Sequence, residues 1–146
     1  MRGILYEGGP NAFWVFLVVT IILGGAAALA TGRAVARTWR PFAPVPFQML
    51  ILSGFVCFLH YALFNEPTIP LKPIGAALVR LSSEPLSGIA DLIDALHYVL
   101  TTLVILTAIA FAGFRMTRSR QMERQYPWAM RRSGAFGWAA KADPGR

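Results

Sequence analysis

The chain has 146 residues, of which 55% are hydrophobic and 14% are charged, with a mean hydropathy of +0.51. Soluble domains typically contain about 45–50% apolar and about 25% charged residues, so this composition argues against a soluble domain and indicates a membrane protein. The net charge of +7 comes from basic residues at the ends of apolar segments, a placement that argues against a nucleic-acid-binding surface. The single cysteine, Cys57, excludes a disulfide within the chain.

The first apolar segment extends from residue 12 to residue 32 and contains no charged side chain. A helix of about 20 apolar residues crosses a bilayer core about 30 Å thick, so the segment predicts a membrane-spanning helix. A cleaved signal peptide is the alternative. However, the N-terminal region is nearly neutral and arginines follow the segment, which opposes export of the chain after it. We therefore predict an uncleaved span.

Small side chains recur inside this segment at intervals of four residues, so they lie near one face of a helix. Such a stripe lets two membrane helices approach closely. It predicts a helix-packing surface, whose partner is another helix of this chain or of another subunit. The stripe consists of Thr20, Gly24, Ala28 and Gly32.

Two further apolar segments, at residues 47–64 and 92–116, predict the second and third spans. Prolines at positions 41, 44 and 46 end the first helix and turn the chain. In the 65–91 connection, apolar residues with helical spacing predict a short amphipathic helix at the outer surface. The predicted fold is therefore an all-α integral membrane protein. Residues 1–125 form one three-helix domain, and residues 126–146 form a basic, aromatic tail on the cytoplasmic side.

The distribution of basic residues predicts the orientation. The loop after the first span and the segment from residue 115 onwards contain 11 of the 14 lysines and arginines. Because positive charge marks the cytoplasmic side, we expect the N-terminus outside and the C-terminus inside. Arginine outnumbers lysine by 12 to 2, as is typical of GC-rich bacterial genomes. We expect a multi-pass protein of the bacterial inner (cytoplasmic) membrane.

Two histidines are the strongest candidates for chemistry. His60 lies near the outer end of the second span and His97 near the outer end of the third, so both are expected at a similar depth. Two such histidines can ligate a haem iron axially or contact a quinone. Alternatively, Asp94 and His97 form an interfacial polar pair that holds the helices in register. Without further ligands the histidines are a poor metal site, and we expect no cofactor, with haem or quinone as the alternative.

Basic and aromatic residues follow the first and third spans. Basic side chains near anionic headgroups contribute about 1 kcal/mol each to membrane binding. These residues therefore predict a surface that binds anionic lipids or a protein partner. They are Arg33, Arg37, Arg40, Arg115, Arg118, Arg120, Arg124 and Trp128.

Four stretches of the sequence resemble a family of small uncharacterised membrane proteins: GILYEG, TGRAVARTWRPF, FLHYALF and GFRMTRSRQMERQYPW. The family occurs in alphaproteobacteria and is often encoded beside branched-chain amino-acid ABC transporters. The resemblance implies a three-helix inner-membrane protein without an established activity. Residues 66–91 look like an insertion relative to shorter relatives.

No catalytic motif accompanies these features. The sequence contains no glycine-rich phosphate loop and no nucleophile elbow, and the middle of each span has no ionisable residue. We therefore expect a non-enzymatic accessory subunit of a larger inner-membrane complex, either a photosynthetic or respiratory assembly or an amino-acid permease. The alternative is a redox membrane protein that contacts haem or quinone through His60 and His97.

Overall fold

The computed structural model describes residues 11–64 and 71–141, without the side chains of residues 71–74, 94 and 95. Helix α1 is a continuous helix over Ala12–Arg37. It is followed by α2 (Val45–Phe64), α3 (Leu71–Ser83) and α4 (Pro85–Gln125). Strands β1 (Met130–Ser133) and β2 (Gly137–Ala140) come last.

Three helices of the described residues are long and apolar enough to cross a membrane. They are Ala12–Arg37, Val45–Phe64 and, within α4, Leu96–Gln125. The prediction of a mostly helical protein with three candidate spans is therefore confirmed. The first and third helices continue beyond the predicted ends at residues 32 and 116, so Arg33 and Arg37 on α1 and the arginines up to Arg124 on α4 belong to helical turns and not to loops. Arg40 lies in the loop after α1.

The small-residue stripe of α1 lies inside the bundle. Thr20, Ala28, Gly24 and Gly32 are all buried. A Cβ atom added to Gly32 would overlap the backbone carbonyl of Ala110 on α4. The contact is reciprocal, because a Cβ atom on Gly113 would lie 2.7 Å from the carbonyl oxygen of Leu29 on α1. The stripe thus brings the backbones of α1 and α4 into direct contact, and its partner is a helix of the same chain.

After a first α-helical turn, Ala12–Val15, α1 continues as a π-helix over Phe16–Gly24 and then as an α-helix over Gly25–Arg37. Four residues advance an α-helix by more than one turn, so a stripe with a spacing of four drifts around the helix. In a π-helix, whose hydrogen bonds join residues five apart, four residues advance by less than one turn. The stripe therefore drifts one way around the axis in the π-helical segment and the other way in the α-helical segment. Because the two drifts oppose each other, small residues from Ala12 to Ala36 can stay on the buried side.

Helix α3 folds back along the first turns of α4. Gly88 of α4 lies so close to Leu81 of α3 that an added Cβ atom would be 2.6 Å from the Leu81 backbone. Arg80 and Asp91 also form an ion pair of 2.9 Å between the two helices. A helix was predicted in this connection. Its neighbour α4 begins directly after it at Pro85, where proline suits the first position of a helix.

The chain after α4 contains a β-hairpin that the all-α prediction missed. Strands β1 and β2 pair antiparallel from Met130 with Ala140 to Ser133 with Gly137. Gly134 has a φ of 74° in the connecting turn, a conformation that glycine adopts without strain. The hairpin packs on α4, where buried Ser119 donates a hydrogen bond of 2.6 Å to the Gly137 carbonyl. Four-residue strands were too short to give a clear alternating pattern in the sequence.

We predict that Gly32→Ala destabilises the protein by about 1–3 kcal/mol, because the added methyl group forces α1 and α4 apart at their closest contact. The measurement is the midpoint of thermal unfolding of the purified protein in detergent. Gly54→Ala is the matched control, since nothing lies within 4 Å of a Cβ atom there. The control should keep or slightly raise the midpoint, because alanine favours a helix over glycine. Equal midpoints for both variants would contradict the prediction.

Candidate anion site at the arginine-rich end

The C-terminal ends of α1 and α4 lie side by side and carry arginines at matching spacing. Arg33 and Arg37 occupy the last two turns of α1, and Arg120 and Arg124 occupy the last turns of α4. The two helices point in the same direction, since both continue past the glycine contact towards this end. The Gln121 amide nitrogen lies 3.5 Å from the Arg37 carbonyl oxygen and links the two ends.

These residues line an open cavity of about 260 Å³, which we call the arginine pocket. The described residues that line it include no acidic side chain, so four guanidinium groups share one small volume. Its lining consists of Arg33, Arg37, Thr117, Arg120, Gln121 and Arg124. These arginines were predicted as part of one basic surface, but Thr117 and Gln121 were not predicted. Each of the two lies three residues before an arginine, Thr117 before Arg120 and Gln121 before Arg124, and so on a nearby face of α4.

Arg118 has a different environment and is 9% exposed. Its guanidinium group donates a hydrogen bond of 2.8 Å to the Arg40 carbonyl. It also lies 4.5 Å from the ring centre of Trp39 and 5.2 Å from that of Phe114. Arg118 therefore holds the loop after α1 against α4, a structural role that the lipid-binding prediction did not anticipate.

Trp39 adopts a φ of 59°, in the left-handed region that large side chains rarely occupy. This conformation directly follows the end of α1, and the Trp39 amide donates to the Ala36 carbonyl at 3.1 Å. Glycine is the usual residue at such a helix end. The contact between the Trp39 ring and Arg118 offsets part of the backbone strain and explains why an aromatic residue is tolerated there.

The remaining residues of the predicted lipid or partner surface are spread apart. Arg115 lies over the ring of Trp138 in β2, 4.8 Å from its centre, and so contacts the hairpin. The Arg40 side chain is exposed. Trp128 is also exposed and packs edge-on against Tyr126 at 6.0 Å. The eight residues thus divide into four pocket arginines, two arginines that contact aromatic rings, and two exposed side chains.

At the other end of the bundle, the two histidines have different surroundings. His60 is buried and donates from Nδ1 to the Val56 carbonyl at 2.9 Å. His97 is half-buried and packs edge-on against Tyr98 at 5.4 Å. The Asp94 side chain lies outside the described residues, so the predicted pair of Asp94 and His97 stays a prediction. The described residues contain no group of three or more metal-ligating side chains, and the haem or quinone contact stays a prediction as well.

We predict that Arg118→Lys lowers the free energy of unfolding by about 1–2 kcal/mol, because a single ammonium group cannot both donate to the Arg40 carbonyl and contact two aromatic rings as the planar guanidinium does. Thermal unfolding in detergent measures the loss. Arg120→Lys on the same helix is the control and should unfold at the wild-type temperature, since the Arg120 side chain is exposed. A wild-type midpoint for Arg118→Lys would refute the structural role of Arg118.

The sequence matches a protein family defined by a domain of unknown function, DUF6867, over residues 11–80 and 88–141. No curated protein and no solved structure has significant similarity to the chain. Residues 66–91 were expected to be an insertion, but the match includes most of them. Only residues 81–87 of this connection are not matched. The match covers both the apolar helices and the arginine-rich end, and the chain therefore belongs to the DUF6867 family.

Proposed function

We propose that the protein is a non-enzymatic accessory subunit of the bacterial inner membrane, with its N-terminus outside and its C-terminus inside. In this role it binds a larger membrane-protein complex, either a photosynthetic or respiratory assembly or an amino-acid permease. Its binding surface is the helical hairpin, which we define as α3 together with residues 85–95 of α4.

The observation that carries this proposal is the exposed apolar surface of the helical hairpin. The uncharged segment of α4 begins only after residue 94, so the ten residues of the helix before it extend about 15 Å beyond the apolar part of the candidate span. Contiguous apolar surface outside a bilayer marks an interaction site, because water would otherwise contact it. The side chains that form this surface are Leu78, Val79, Leu86, Ile89 and Ile93.

The helical hairpin is a preformed surface. The close backbone contact between Gly88 and Leu81 and the ion pair between Arg80 and Asp91 join its two helices. A partner that binds a preformed surface does not have to order it first, which favours affinity. The small-residue stripe, in contrast, contacts α4 within the chain. The stripe is therefore not the surface on which we expect the complex to bind.

The non-enzymatic part of the proposal is supported by the composition of the spans. Apart from the thiol of Cys57, the described ionisable side chains of the three apolar segments lie near the ends of those segments, as for His60, His97 and Arg33. Proton and ion pathways normally place such groups within the membrane. The orientation is supported by the 11 basic residues that follow the first and third spans.

We predict the orientation to be detectable by cysteine labelling. In intact spheroplasts, a membrane-impermeant maleimide should label Ser82→Cys in α3. Ala135→Cys in the β-hairpin should be labelled only after permeabilisation. Both positions are exposed, and the parent chain, whose single Cys57 is buried, is the unlabelled control. The reverse pattern would refute the proposed orientation.

We predict that tagged wild-type protein, extracted from native membranes in mild detergent, co-purifies with a larger partner at constant stoichiometry. Leu86→Glu should reduce the recovered partner about tenfold, because it places a charge in the apolar surface, where Leu86 is 87% exposed. The matched control is Phe136→Glu, at an exposed apolar side chain of the β-hairpin. Elution of the wild type alone would refute the accessory role. Full recovery with Leu86→Glu would refute the assignment of the surface.

A further inference from the structure

We propose that the arginine pocket binds the headgroup of an anionic phospholipid that carries two phosphate groups. This goes beyond the accessory role, because the pocket lies at the opposite end of α4 from the helical hairpin. The inference rests on the three helices crossing a membrane and does not depend on a partner protein.

The four pocket arginines repel one another electrostatically. Arg33 and Arg37 are four residues apart on α1, and Arg120 and Arg124 are four residues apart on α4. Like charges at this spacing repel each other and destabilise a helix. Within residues 11–64 and 71–141, none of these four side chains forms an ion pair. A bound anion would remove the repulsion within each pair and between the two helices.

Three other arginines of the fold, Arg80, Arg115 and Arg118, contact a protein group. Arg118 is held by the Arg40 carbonyl and two aromatic rings, Arg115 by Trp138, and Arg80 by Asp91. Each of these guanidinium groups therefore has a protein partner. The pocket arginines instead face a cavity of about 260 Å³, which has room for several water molecules or for an anion.

The arginine pocket also lies at a depth that suits a lipid headgroup. Arg33 is the first charged residue after the apolar part of α1, and Thr117 follows the apolar part of α4 by three residues. In a bilayer, the pocket therefore extends from the hydrocarbon boundary to about three turns beyond it, a range that includes the level of the lipid phosphates. Basic pockets between membrane helices at this level suit phosphate-bearing headgroups. A lipid is also always present there, unlike a soluble anion.

The number of arginine pairs in the pocket indicates how many phosphate groups the ligand carries. Guanidinium groups bind phosphate through paired hydrogen bonds, and an arginine pair on one helix can hold one phosphate group. The pocket has two such pairs on facing helices. A headgroup with two phosphates can engage both pairs at once, whereas a headgroup with one phosphate leaves one pair without a counterion.

The test is native mass spectrometry of the full-length protein in detergent, titrated with diphosphatidylglycerol and, separately, with phosphatidylglycerol at equal total charge. We expect one molecule of diphosphatidylglycerol to bind at least tenfold more tightly than phosphatidylglycerol. The double variant Arg37→Gln, Arg124→Gln should lose this preference. The control variant Arg40→Gln, Arg131→Gln, which removes the same charge at exposed positions outside the pocket, should retain it.

Three outcomes would overturn the proposal. Equal affinity for the two lipids would refute a site for two phosphates, and this comparison needs no variant. Equal loss in the pocket and control variants would reduce the effect to general surface charge. Binding of inorganic pyrophosphate as tight as that of the lipid would assign the pocket to a soluble anion. None of these outcomes depends on co-purification of a partner, so failure of this proposal is distinguishable from failure of the accessory role.

Discussion

The backbone contact between α1 and α4 is the constraint on which the rest of the structure depends. Lipid provides little hydrophobic driving force for helices to associate, so membrane helices gain stability from close van der Waals contact. Gly32 against Ala110 and Gly113 against Leu29 provide that contact, and α2 completes the bundle with Val56 beside Gly24. Because the contact lies a few residues before the arginines, it also sets how closely the two basic helix ends approach.

The sequence was sufficient to predict the three candidate spans, because length and hydropathy are local properties of a segment. It also predicted the stripe of small residues, but it could not assign the partner of the stripe. That partner is defined by Gly113, whose single position on α4 shows no pattern of its own. The β-hairpin was missed because its strands are short and depend on a tertiary contact, the hydrogen bond from Ser119 to Gly137.

The arginines also show which features of the candidate site the sequence could predict and which it could not. Their number and their position after the spans predicted a basic surface. In the fold, however, individual arginines have different contacts. Arg118 and Arg115 contact aromatic rings, and Trp39 and Trp138 come from loop and strand positions distant in sequence. The pocket arginines were predictable as pairs, since a spacing of four places two side chains on one helix face. Their convergence across two helices requires the α1–α4 contact.

The position of the glycine contact relative to the arginine pocket has a thermodynamic consequence. A ligand that bridges α1 and α4 would bind only while the two helices are packed, so its binding free energy would add to the stability of the crossing. By linkage, a change that loosens the crossing enough to populate the unpacked state would lower the apparent affinity of the pocket in proportion to the fraction of molecules that remain packed. Gly32 precedes Arg33 directly, and Gly113 precedes Thr117 by about one turn. Gly32 and Gly113, which do not line the pocket, would thereby influence how strongly the pocket binds its ligand.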